Sequence, residues 1–144
     1  MRLTYSWLVK DRVIYAWGEG TITSEDVLAG YEEIGRLVQP LPPDSVYFLY
    51  DARELTIPLN WSTIVAGLRG RRSNQIIATI TITRHSNPLV EIAMSLLTRI
   101  YRMPGYYVTT CEDAVTLLCS LDPSLKDVLP ESIESIETTG ANIP

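Results

Sequence analysis

The chain has 144 residues, 46% of them hydrophobic and 20% charged, with two cysteines. That balance fits one folded domain, excludes a fibrous or low-complexity chain, and permits a core without metals or disulfides. The formal charge of −5 is concentrated late: from Asp122 onward five acids accompany one lysine, leaving −1 for the remainder and no basic patch that would attract nucleic acid.

Cys111 and Cys119 are too few for a disulfide framework and suit a reducing, cytoplasmic setting. The opening Met-Arg-Leu-Thr-Tyr-Ser-Trp alternates instead of forming an apolar block, so no signal peptide is expected. No window approaches the roughly 18 uninterrupted apolar residues of a membrane span, so no integral membrane segment is expected either.

Leu3, Tyr5, Trp7 and Val9 alternate with Thr4, Ser6, Leu8 and Lys10, the period of a half-buried strand. Val13, Tyr15 and Trp17 repeat it. Lys10-Asp11 between them suits an antiparallel hairpin, although it lacks the glycine that tight turns favour. Gly18-Glu19-Gly20-Thr21 is expected to end the second strand. Thr23-Ser24-Glu25-Asp26 then opens a helix with a capping hydroxyl and early acids, and Val27, Tyr31, Ile34 and Val38 fall on one face. Gln39-Pro40-Leu41-Pro42-Pro43 cannot continue it.

Val46-Tyr47-Phe48-Leu49-Tyr50 is apolar or aromatic at every position and stops at Asp51, which reads as a central strand buried on both faces. In α/β sheets ligands gather where parallel strands end, so Asp51 to Asn60 is the expected working loop. Trp61, Ile64, Val65 and Leu68 follow at helical spacing, up to Gly70 and its neighbours Arg69, Arg71 and Arg72. From Gln75 to Thr83, Ile76, Ala78, Ile80 and Ile82 point one way while Ile77, Thr79, Thr81 and Thr83 point the other. One face is core and the other partly covered.

Ser86-Asn87-Pro88 is a helix start, with Asn87 as cap and Pro88 preset for the first turn. Two apolar stripes follow, Leu89, Ala93, Leu96 and Ile100 beside Val90, Met94, Leu97 and Tyr101, and only Glu91, Ser95, Thr98, Arg99 and Arg102 form a wet strip. One sheet face cannot bury both stripes, so Leu89, Val90, Met94, Leu97 and Tyr101 are candidates for contact with a protein partner or a second copy. Pro104-Gly105 ends this helix, Tyr106 to Val108 gives a last strand, and Thr109 or Thr110 caps a final helix through Leu121. The reading is a single α/β domain over residues 1–121 with a mixed sheet of about five strands, helices mainly on one face and the order ββαβαβαβα. Residues 122–144 form an acidic tail, docked or mobile.

With Gly20-Thr21-Ile22-Thr23-Ser24-Glu25-Asp26 before the first helix, Tyr50-Asp51 closing the central strand and Glu112-Asp113-Ala114-Val115-Thr116-Leu117-Leu118 near the end, this order resembles the STAS, anti-anti-sigma-factor-like or SpoIIAA-like family. The resemblance implies a small recognition module with no reaction of its own. Anti-anti-sigma members carry a phosphorylatable serine in an Asp-Ser-Ser/Thr-Gly type loop after the central strand. This chain has Asp51-Ala52-Arg53-Glu54-Leu55-Thr56 there, without the serine or the glycine.

The candidate binding residues are Asp51, Arg53, Thr56, Trp61, Arg84 and His85. Asp51 either receives a ligand's hydrogen bond or positions Arg53, and Thr56, Ser62 and Thr63 are the hydroxyls nearest the missing serine. His85 is the only histidine and has no ligand-spaced cysteines beside it, so no metal is expected. No cofactor is expected, because the phosphate-cradling and dinucleotide glycine motifs are absent, and without a Gly-x-Ser-x-Gly elbow no catalytic residue stands out. Two functions remain, a regulatory protein-interaction module or a small carrier of a hydrophobic ligand held between the Trp61 and Leu89 helices.

Overall fold

Alternating side chains in the outer segments, and an unbroken apolar run in the middle one, specify strands of different burial in one sheet. In a computed structural model of the chain, the described residues are 2–56, 73–84 and 104–129, with single positions at 58, 60, 62, 66, 88, 91, 92, 95, 96 and 99. The strands are β1 (Arg2–Val9), β2 (Val13–Thr21), β3 (Val46–Thr56), β4 (Ile76–Ile82) and β5 (Gly105–Val108), in the spatial order β1-β2-β3-β4-β5. β1 is antiparallel to β2, and each later pair is parallel. The hairpin needs no glycine because Asp11 takes the positive φ of 61°, a conformation aspartate tolerates better than most side chains.

α1 (Ser24–Val38) begins where the capping hydroxyl predicts: Thr23 Oγ1 accepts from the Asp26 amide at 3.2 Å, and Asp26 Oδ2 accepts from the Thr23 amide at 2.8 Å. It ends at Gln39, one residue before Pro40. α2 (Cys111–Leu121) starts from Thr110, whose hydroxyl accepts from the Asp113 amide at 3.0 Å. Ser62 and Ala66 between β3 and β4, and Pro88, Glu91, Ile92, Ser95, Leu96 and Arg99 between β4 and β5, have helical backbone.

β3 is the middle of five strands, and Val46 to Leu49 are buried whichever face they point to. One core layer joins Val13, Tyr15, Tyr47, Leu49, Ala78, Ile80 and Ile82 to Ala114 and Leu118 of α2. The other joins Ile14, Ala16, Val46 and Phe48 to Val38 of α1, with Tyr5, Trp7, Ile34 and Tyr50 packed against it. The two helices described end to end cover opposite faces, α1 the side of Ile14 and Phe48 and α2 the side of Val13 and Leu49. Parallel crossovers keep one hand and hold their helices on one side of a sheet. α2 follows the last strand, so no crossover constrains it, and it returns over the uncovered row Ala78, Ile80 and Ile82.

One correction concerns strand length. β3 does not end at Asp51, because β2 continues to Thr21, and Glu19, Gly20 and Thr21 partner Glu54, Leu55 and Thr56. One row crosses the whole sheet, with Tyr5, Ala16, Tyr50, Thr81 and Tyr107 as successive register partners. Beyond α2, a short 3-10 turn (Pro123–Leu125) carries Leu125 into the α2-side core with 0% exposure, and Leu129 packs beside it. Arg12 pairs with Asp122 at 2.7 Å, tying this segment to the hairpin. The rest of the acidic tail lies outside the described residues. Among the described residues no helix is long and apolar enough to cross a membrane.

Candidate functional site

The end of β3 carries an irregularity that positions the predicted residues. Trp17 pairs with Asp51, yet Glu19 pairs with Glu54, so β3 holds one more residue than β2 across this interval. Such a bulge takes a backbone amide out of the ladder. Asp51 Oδ1 accepts from the Arg53 amide at 3.2 Å, so the carboxylate serves the chain at its own irregularity.

Asp51 is completely buried, and its other hydrogen bonds are strong. Arg53 Nε donates to Oδ1 at 2.9 Å and Nη2 to Oδ2 at 2.6 Å, a two-pronged pair, while the Tyr15 hydroxyl donates to Oδ2 at 3.0 Å. The hydrogen bond to Asp51 pushes the Arg53 guanidinium above its ordinary value, so it stays charged. Arg53 Nη2 also donates to Cys111 Sγ at 3.2 Å, linking the end of β3 to the first residue of α2. A carboxylate held from three directions is a strut that ties β3 to β2.

The other predicted residues separate from this cluster. Arg84, just past β4, forms an exposed ion pair with Glu54 of the neighbouring strand. Thr56 is exposed at the end of β3, and its carbonyl accepts from the Ile22 amide at 3.0 Å. Trp61 and His85 lie outside the described residues, as do the interface candidates Leu89, Val90, Met94, Leu97 and Tyr101. Around the latter, Glu91, Ser95 and Arg99 are exposed as the wet strip predicts, but Ile92 and Leu96 are also exposed, at 58% and 52%. Leu96, assigned by spacing to one of the two apolar stripes, faces outward one turn from Ile92.

Tyr15, read only as part of a strand's alternation, and Cys111, read only as too few cysteines for a disulfide framework, both touch the Asp51–Arg53 pair. Tyr15 opposes Leu49, which sets it diagonal to Asp51 on the same face. That signal needs the β2–β3 register, which the sequence alone does not supply. Among the described residues no group of three His, Cys, Asp or Glu side chains could hold a metal ion.

Comparison with known proteins places this architecture. The chain is similar to the crystal structure of an uncharacterized protein from the DUF3478 family with a SpoIIAA-like fold from Shewanella loihica PV-4, at a TM-score of 0.57 and 17% identity over 82% of this chain and 93% of that one. No family model matches the sequence, and no curated protein matches it. The chain has a SpoIIAA-like fold.

Proposed function

We infer that this chain is a regulatory protein-interaction module of the STAS-like type, without an enzymatic reaction of its own and without the phosphorylatable-serine switch. Its partner is a protein, engaged beyond the ends of β3 and β4 and along the helical segment that carries Ile92 and Leu96, in a cytoplasmic setting.

The observation that supports it most is the outward pair Ile92 and Leu96, two large aliphatic side chains more than half exposed and spaced to share one helix face beside the stripe Glu91, Ser95 and Arg99. Exposed apolar side chains flanked by polar and charged ones suit a protein contact. The fully engaged Asp51 adds that the one buried acid among the described residues holds structure.

A photo-crosslinking residue in place of Ile92, introduced in the native host, is expected to trap a discrete protein, and Leu96→Glu is expected to reduce that product at least tenfold with the fold intact by circular dichroism. Turnover in a hydrolase panel that Asp51→Asn abolishes, with no trapped protein, would reverse the reading.

A further inference from the structure

The two edges of the sheet are built differently. β5 has four residues and follows directly on Pro104, features that discourage pairing, whereas β1 has eight residues, no proline and no charged side chain between Leu3 and Val9. The cations that commonly defend an edge stand at its two ends, turned onto indole rings: Arg2 over Trp17 at 6.0 Å and Lys10 over Trp7 at 5.8 Å. Among the described residues no strand lies beyond β1.

The direction of its peptide groups follows from the ladders. The Tyr47 amide donates to the Arg12 carbonyl at 2.8 Å and the Ile22 amide to the Thr56 carbonyl at 3.0 Å, so even-numbered residues of β2 turn their peptide groups toward β3 and odd-numbered ones toward β1. Tyr15 opposes Ser6 and Trp17 opposes Thr4, which makes Ser6 and Thr4 the hydrogen-bonded positions of the hairpin. Leu3, Tyr5 and Trp7 therefore present their N–H and C=O groups outward.

We propose that β1 is a self-association edge at which a second copy of this chain pairs antiparallel, centred on Tyr5 against Tyr5. In that register Leu3 opposes Trp7 of the other copy, both in hydrogen-bonding phase, and Thr4 opposes Ser6. Aromatic and aliphatic side chains meet on one face and hydroxyls on the other. A register centred on Ser6 would set Arg2 against Lys10, like charge against like, and one centred on Trp7 would run into the irregularity between Trp7 and Val9. The Tyr5-centred pairing fuses two five-stranded sheets into one, a small interface of the transient class. It goes beyond the partner surface proposed above and lies at a different edge of the sheet.

Sedimentation velocity of the full chain between about 10 and about 500 μM, the range where small interfaces associate, is expected to show a concentration-dependent dimer. Leu3→Pro removes one outward N–H and leaves the β2 ladder whole, so it is expected to keep the thermal midpoint within a few degrees while weakening the dimer at least tenfold. Amide exchange at Tyr5 and Trp7 of the unaltered chain is expected to slow several-fold on concentration, a readout that stands whether or not Leu3→Pro folds. A strict monomer across the range, a dimer indifferent to Leu3→Pro, or Tyr5 and Trp7 amides that exchange equally fast at both concentrations overturns the proposal.

Discussion

At the scale of single residues, the Asp51–Arg53 pair is asymmetric, since Asp51 is sealed while the Arg53 side chain keeps 27% exposure. Removing one partner of a buried pair strands the other. Arg53→Ala is thus expected to lower unfolding free energy by about 3 kcal/mol in urea titrations, and Asp51→Asn by about 2 kcal/mol, because the freed guanidinium can reach water. Tyrosines supply an alkaline signature. Burial pushes Tyr5 and Tyr107 up to about 12 and raises Tyr50 further, with Glu33 adding at Tyr5 and Glu91 at Tyr107. Their folded values exceed the unfolded one near 10, so the unfolded chain releases protons first and stability falls as pH rises above about 10. Absorbance at 295 nm should show these phenols ionising only as the fold is lost. Acid behaves in the opposite sense: hydrogen bonds from Thr23 hold Asp26 low, and hydrogen bonds from Ser124 hold Asp122 low. Their stabilisation is present above about pH 4 and is lost as pH falls further, so the double substitution Asp26→Asn with Asp122→Asn should flatten the acid arm of the thermal-midpoint profile.

At the scale of elements, the sequence made helix starts and strand phases legible because their signals are local. Thr23 with Asp26 and Thr110 with Asp113 lie three residues apart, and Ile76 to Ile82 alternates in burial as written. The ends of β2 and β3 were not legible. Gly18 and Gly20 read as punctuation, and Asp51 with Arg53 as a loop, because each segment extends only in the presence of the other. Gly18 is there for a close approach, since a β-carbon at that position would lie 2.9 Å from Leu3 Cδ1 and 3.0 Å from Leu55 Cδ2. The extra residue in β3 also sets the phase beyond it. Deleting Ala52 would restore even pairing but return Glu54 and Leu55 to exchanged sides of the sheet. α1 offers a sharper test at Gly30, where a β-carbon would meet the Tyr5 hydroxyl oxygen at 2.7 Å. Gly30→Ala gains helix propensity of about 1 kcal/mol but meets that oxygen, so in a double-mutant cycle it is expected to be more stabilising beside Tyr5→Phe than alone, by at least about 0.5 kcal/mol in chemical denaturation.

At the scale of the whole molecule, the layered sheet was legible because the apolar middle segment has no other place to go, while the side taken by α2 was not, since nothing in Cys111–Leu121 states which face of the sheet lies bare. The α2-side core also extends into residues that composition assigns to a tail. Leu125→Ala should destabilise the whole fold by about 3 kcal/mol, as a buried leucine would, and not merely loosen a terminus, which hydrogen exchange across β2 would distinguish from local fraying. The Arg12–Asp122 contact joins positions 110 residues apart. During synthesis on the ribosome, the hairpin waits for residues added some 110 positions later before this side of it is sealed. Until that later segment emerges, a nascent chain keeps Val13 and Tyr15 without their α2-side cover, and that interval, more than the finished fold, is when chaperones would matter to this protein.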